Sequence, residues 1–144
     1  TPVERLAHTD IAARALDALA RSRVRTVHLI GRRGPAQASF STPELRELIA
    51  IPGCRVEIDP RELELNAASA AEITHAHASA NARNVDVLAA AAAATAQGEA
   101  EATDRALAIR FGLAPLEVLG HGHVTGIRLA RTRLRRRARR DALP

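Results

Sequence analysis

The chain contains no methionine, tryptophan, tyrosine or lysine, and only two phenylalanines, Phe40 and Phe111. With aromatics at 1% there is no platform on which successive bases could stack, so single-strand nucleic-acid binding of that kind is not supported. One cysteine, Cys54, excludes a disulfide framework and a cysteine-based zinc site, and it fits a reducing, cytoplasmic setting. No apolar run approaches the ~18 residues that a membrane span requires. No basic-then-apolar leader is readable at the start. A chain that opens on Thr1 and lacks methionine throughout is expected to be a processed product or a piece of something longer.

What is present suits one globular domain. Over 144 residues, 47% are hydrophobic and 26% charged, and 32 are alanine. A folded domain of that length hides roughly 70% of its unfolded surface, enough for a real core. All 21 basic residues are arginine, and the net charge is +5. That charge is unevenly placed. From Arg128 onward eight arginines face one acid, whereas the first 127 residues hold 13 arginines against 15 acids. The body is mildly acidic and the end is basic.

Asp10 to Arg21 reads as a helix, with Ile11, Ala15, Leu16 and Leu19 on one face and Thr9 or Asp10 as N-cap. Pro2 to Ala7 suits the end of an earlier helix. Thr26-Val27-His28-Leu29-Ile30 is a short β-branched run closed by Gly31, which predicts a buried strand. A loop, Gly31-Arg32-Arg33-Gly34-Pro35, follows. Thr42 and Pro43 then open a second helix, with Glu44 in the first turn and Leu45, Leu48 and Ile49 as its apolar face. Pro52-Gly53 stops it. Arg55 to Asp59 alternates apolar with charged and predicts a second strand. Strand, loop, helix and strand make the unit of an open parallel sheet.

Ala67 to about Gln97 is alanine-dense and strongly helical by propensity. Asn81 and Asn84 weaken its middle, so one kinked helix or two shorter ones are both allowed. Arg105–Phe111, Leu116–Leu119 and Val124–Leu129 are three strand-like runs joined by tight turns, which predicts an appended antiparallel meander.

The informative constellation is Arg32-Arg33. In a doubly wound nucleotide-binding sheet the end of the second strand lies over the adenosine ribose. An acid there reads the 2′-hydroxyl of NAD, and arginine accommodates the 2′-phosphate of NADP. The planar guanidinium fork fits phosphate bidentately. Gly31 and Gly34 are expected to let the backbone turn sharply beside the nucleotide. The competing interpretation is a solvated turn carrying two charges. A dinucleotide site also needs a glycine-rich loop after its first strand, and no G-x-G-x-x-G occurs. Gly120-His121-Gly122 comes nearest but joins two strand-like runs and opens no helix.

Here a family resemblance enters. His8-Thr9-Asp10-Ile11-Ala12, Val27 through Phe40 and Thr42 through Leu48 resemble the NADP-binding domain of adrenodoxin-reductase-type ferredoxin–NADP reductases. The pattern G-R-R-G-P-x-Q-x-x-F is present at every defined position, and Thr42-Pro43-Glu44-Leu45-Arg46-Glu47 resembles the T-x-x-E-L-R-E that follows it, with the threonine one residue closer to the glutamate. Ile109-Arg110-Phe111 and Pro115-Leu116-Glu117-Val118 resemble a later strand of the family, with Ile109 in place of a phenylalanine and Ala114 where serine is common. The resemblance implies a glutathione-reductase-type, Rossmann-like α/β fold in which residues 1–134 form an incomplete NADP-binding domain, its first strand and phosphate loop missing. It implies an FAD-dependent enzyme that passes electrons between NADPH, FAD and a ferredoxin-type iron–sulfur protein. It assigns Arg32 and Arg33 to the 2′-phosphate and Glu44 to the NADP side of the site. It places the FAD ligands outside these residues, and assigns no catalytic residue and no metal here. On the residues alone, Glu44 equally suits a first-turn dipole partner.

His75 and His77 lie two apart on a predicted helix, where side chains diverge by roughly 200°, a poor metal pair. His121 and His123 sit in a turn and are read as surface residues. His28 is read as a core or edge residue, and Cys54 as a simple small residue. The arginine-rich end, Arg131 to Arg140, does not match the family. Residues 135–144 are expected to be an unstructured tail. As a second function, that tail could bind nucleic-acid phosphates nonspecifically, or steer an acidic protein partner.

Overall fold

The computed structural model describes residues 3–74, 80–97 and 103–133. Its centre is a three-stranded parallel sheet. Strand β1 (Thr26–Gly31) and strand β2 (Arg55–Ile58) flank β3 (Ala106–Phe111). Leu29 of β1 and Ile58 of β2 both stand opposite Ile109. The helices are α1 (Val3–Leu6), α2 (Ala13–Ala20), α3 (Thr42–Ile49), α4 (Ala67–Thr74) and α5 (Ala80–Ala96). An antiparallel hairpin of β4 (Leu113–Leu119) and β5 (Gly126–Arg131) completes the order.

The mixed α/β class and the appended antiparallel element are as expected, but the first of the three later runs belongs elsewhere. Residues 106–111 enter the parallel sheet as its central strand, so the antiparallel part is a two-stranded hairpin. The reason lies in packing. Ala106, Leu107, Ala108 and Ile109 are all buried, the near-continuous apolar run of a strand flanked on both sides. Gly112, at φ 66°, then lets the chain leave the sheet within one residue.

The main core cluster lies on one face of the sheet. Val56, Ile58, Leu107, Ile109 and Phe111 pack against Leu45 of α3 and against Leu88 and Ala92 of α5. Leu45 and Leu88 are fully buried, and each contributes roughly 1.5–3 kcal/mol relative to exposure. Strand β1 was expected to be buried. It is an edge strand whose first half is exposed, with Val27 at 56%.

Local signals explain most boundaries and correct two. Helix α2 starts at Ala13 after Ala12, with no side-chain cap. Thr9 instead donates its hydroxyl to the Leu6 carbonyl and closes α1. Helix α3 is capped by Ser41, one residue before the expected start. The alanine-dense stretch forms α4 and α5; residues 75–79 between them lie outside the described residues.

Candidate functional site

Strands β1 and β3 end level with each other, Gly31 beside Phe111. Beyond this edge lies a cleft of about 270 Å³ lined by Leu29 to Gly34, Gln37 to Phe40, and Ile109 to Phe111. It therefore sits outside the carboxyl ends of parallel strands, where open α/β sheets take ligands. Its floor is apolar, from Leu29, Ile30, Ile109 and Phe111, and its rim is basic.

Arg32 and Arg33 are among the residues lining this cleft, and both are exposed. Neither guanidinium has a hydrogen-bond or ion-pair partner among the described residues. Among the described residues no carboxylate lines the cleft. The third lining arginine, Arg110, is different. It grips Glu62, whose Oε1 accepts from Arg110 Nη2 at 2.8 Å and whose Oε2 accepts from Nε at 3.1 Å. Oε2 also accepts the Phe111 N–H at 2.9 Å. The Glu62 side chain is only 3% exposed. Burial pushes its carboxyl up, but the Arg110 and Phe111 hydrogen bonds and the Arg110 charge outweigh that, leaving it below the usual range. The cleft thus has two unneutralised cations and one that the fold consumes.

The two glycines act otherwise than expected. Gly34 has φ −75° and ψ 173°, ordinary extended backbone that any residue adopts. At Gly31 an added Cβ would come within 3.2 Å of the Phe111 ring, so close packing rather than a turn favours glycine there.

Glu44 lies outside the lining residues. It completes a capping box: Ser41 accepts the Glu44 N–H at 3.3 Å, and Glu44 Oε2 accepts the Ser41 N–H at 3.0 Å. Hydrogen bonding to its carboxyl from the Ser41 side chain and from the Ser41 N–H holds it below the usual range.

Sequence reasoning did not single out Gln37, Asn81, Asn84 or Thr132 as parts of this site. Gln37 donates to Ser69 and Glu72 of α4, at 3.2 and 2.8 Å, and ties the cleft wall to that helix. Its place in the G-R-R-G-P-x-Q pattern was the available signal. The other three hold backbone carbonyls of the cleft loop, contacts that span 44 to 100 residues and leave no local trace.

None of the described histidines lines the cleft. His28, His121 and His123 are exposed, and His75 and His77 lie outside the described residues. Cys54 is half-buried, away from the cleft. Among the described residues no group of three His, Cys, Asp or Glu side chains is placed to hold a metal. No helix among them is long and apolar enough to cross a membrane. Most of the arginine-rich end, from residue 134 on, lies outside the described residues.

The parallel sheet, with two exposed arginines beyond the carboxyl end of one strand and without partners among the described residues, is a Rossmann-like α/β arrangement. Known proteins of similar sequence narrow this class. The chain is 38% identical over 137 residues to human mitochondrial NADPH:adrenodoxin oxidoreductase, covering 93% of this chain and 28% of that protein. It is 37% identical over 133 residues to the NADPH-ferredoxin reductase FprA of Mycobacterium leprae, covering 90% of this chain and 27% of that one. Among solved structures, FprA of Mycobacterium tuberculosis in complex with NADPH matches with a TM-score of 0.76 at 38% identity, over 91% of this chain and 27% of that one. No protein-family model matches. Nearly all of this chain is homologous to one stretch of the adrenodoxin-reductase-type ferredoxin–NADP reductases, and it spans about 28% of the length of the curated relatives it matches.

Proposed function

We propose that this chain binds NADP(H), with Arg32 and Arg33 gripping the 2′-phosphate, as the nucleotide-selecting part of an FAD-dependent ferredoxin–NADP reductase. The carrying observation is the pair of guanidiniums on the rim of the cleft, neither with a partner and no carboxylate lining the cleft among the described residues. Such a rim complements an anion. Each charge-assisted bond to phosphate contributes on the order of 1.5–3 kcal/mol, less where solvent screens it. In such an enzyme NADPH supplies the hydride, FAD receives it, and a ferredoxin-type iron–sulfur protein takes electrons one at a time. This chain's contribution is to bind and select the nucleotide. Glu44 supports the site from the start of α3: one carboxylate oxygen fixes the helix cap, and the other can accept from a ribose hydroxyl. None of these residues is assigned to FAD, and a cytoplasmic setting for the chain rests on its lone free cysteine.

Retention on immobilised 2′,5′-ADP tests the reading. The parent chain is expected to be retained, and Arg32→Ala with Arg33→Ala to flow through. Equal retention of both would overturn it. By itself the chain is expected to show no flavin-free diaphorase turnover. The relatives favour this reading over a nucleic-acid-binding module, for which a salt-sensitive duplex shift abolished by deleting residues 131–140 would be the signature.

A further inference from the structure

The loop bearing the arginine pair is held from outside the cleft. Residues 32–40 contain no strand and a single 3-10 turn, Pro35–Gln37, so most of their carbonyls must find partners elsewhere. Thr132, just beyond β5, donates its hydroxyl to the Arg32 carbonyl at 2.6 Å. Its own N–H goes to the Gly112 carbonyl at 2.8 Å, and the Gly112 N–H goes to the Arg33 carbonyl at 3.1 Å. The hairpin therefore clasps the backbone of both arginines. At the far end of the loop, Asn81 and Asn84, almost one turn apart on α5, donate to the carbonyls of Ala36 and Phe40 at 2.9 and 2.7 Å. None of the three side chains lines the cleft.

We infer that Thr132 is a positioning residue for nucleotide selectivity, fixing the backbone of Arg32 and Arg33 so that their guanidiniums meet a 2′-phosphate, with Asn81 and Asn84 fixing the other end of the loop. A guanidinium on a mobile backbone loses main-chain and side-chain freedom when it grips phosphate. One on an anchored backbone loses only the latter. The anchor thus acts on the phosphate-bearing ligand and leaves contacts to the rest of the nucleotide alone. This inference rests on the 2′-phosphate reading of the cleft.

The test titrates the full chain with 2′,5′-ADP and with 5′-AMP, which lacks the 2′-phosphate. Thr132→Val keeps the side-chain shape and the backbone bond to Gly112 but removes the donor. It is expected to weaken 2′,5′-ADP binding about three- to tenfold, leave 5′-AMP unchanged and leave the unfolding midpoint unchanged. Thr132→Ser, which restores the hydroxyl, is expected to restore the affinity. A second arm, Asn81→Asp, turns a donor toward the Ala36 carbonyl into an acceptor and shifts the ratio in the same direction. The inference is overturned if neither variant changes the ratio of the two affinities, or if both ligands weaken equally. Should Arg32→Ala with Arg33→Ala also leave that ratio unchanged, the reading of the cleft itself fails; if that variant collapses the ratio while Thr132→Val and Asn81→Asp do not, only the inference fails.

Discussion

Arg110 and the Arg32-Arg33 pair line the same cleft and meet opposite fates. Arg110 is about one-third exposed and is locked on a nearly buried carboxylate, which also accepts the next residue's N–H. Its charge is used up in joining β3 to the turn at Pro60–Glu62. Arg32 and Arg33 are exposed and without a side-chain partner among the described residues, while their carbonyls are taken by Thr132 and Gly112. The fold spends one arginine on itself and presents the other two, anchored by backbone and free at the tip. Residue type says nothing about which is which. The surrounding carboxylate decides.

The sharpest way to break this comparison is to remove that carboxylate. Glu62→Ala is expected to destabilise the fold by about 2–4 kcal/mol, because it leaves a partly buried guanidinium and the Phe111 N–H without their acceptor. Denaturant unfolding measures it. The same carboxyl gives a pH signature. Its folded pKa is depressed, so its stabilisation is fully present above the unfolded glutamate value of about 4.5 and is lost as pH falls through the lower folded value. Stability measured from neutral pH into acid should fall more steeply in the parent chain than in Glu62→Gln. Equal slopes would show that this pair does not titrate with folding.

The complementary change, Arg32→Ala with Arg33→Ala, should leave stability within about 0.5 kcal/mol, since surface substitutions without partners rarely do more. The same variant should cost 2′,5′-ADP affinity on the order of ten- to a hundredfold. A smaller effect is expected at the cap. Ser41→Ala removes the acceptor for the Glu44 N–H and should cost about 1 kcal/mol of stability. Glu44→Gln, whose amide oxygen can still accept the Ser41 N–H, is expected to lower nucleotide affinity while keeping most of the cap's stability; unchanged affinity would limit Glu44 to the cap.

Local chemistry made part of this arrangement readable in advance. The β-branched run before Gly31, the Pro43 helix start and the Pro52-Gly53 stop located β1, α3 and β2 within a residue or two. The motif around Arg32-Arg33 pointed to the rim of the cleft. Pairing between distant segments was not readable in the same way. Residues 106–111 and 113–119 are consecutive strands separated by one glycine, and such spacing suggests a hairpin. Yet β3 joins strands about 50 and 80 residues earlier. Asn81 and Asn84 read locally as weak points in a helix, but their amides hold the cleft loop. Helix propensity describes the segment alone, and here tertiary hydrogen bonds override it. Glu62 gave no signal because its partner lies 48 residues away.

The central claim is that Arg32 and Arg33 read a 2′-phosphate. Titration calorimetry of the full chain with 2′,5′-ADP and 5′-AMP, before and after replacing both arginines by alanine, tests it most directly. The parent chain should prefer the 2′-phosphorylated ligand, and the variant should lose the preference while retaining its fold. An unchanged preference in the folded variant would contradict it.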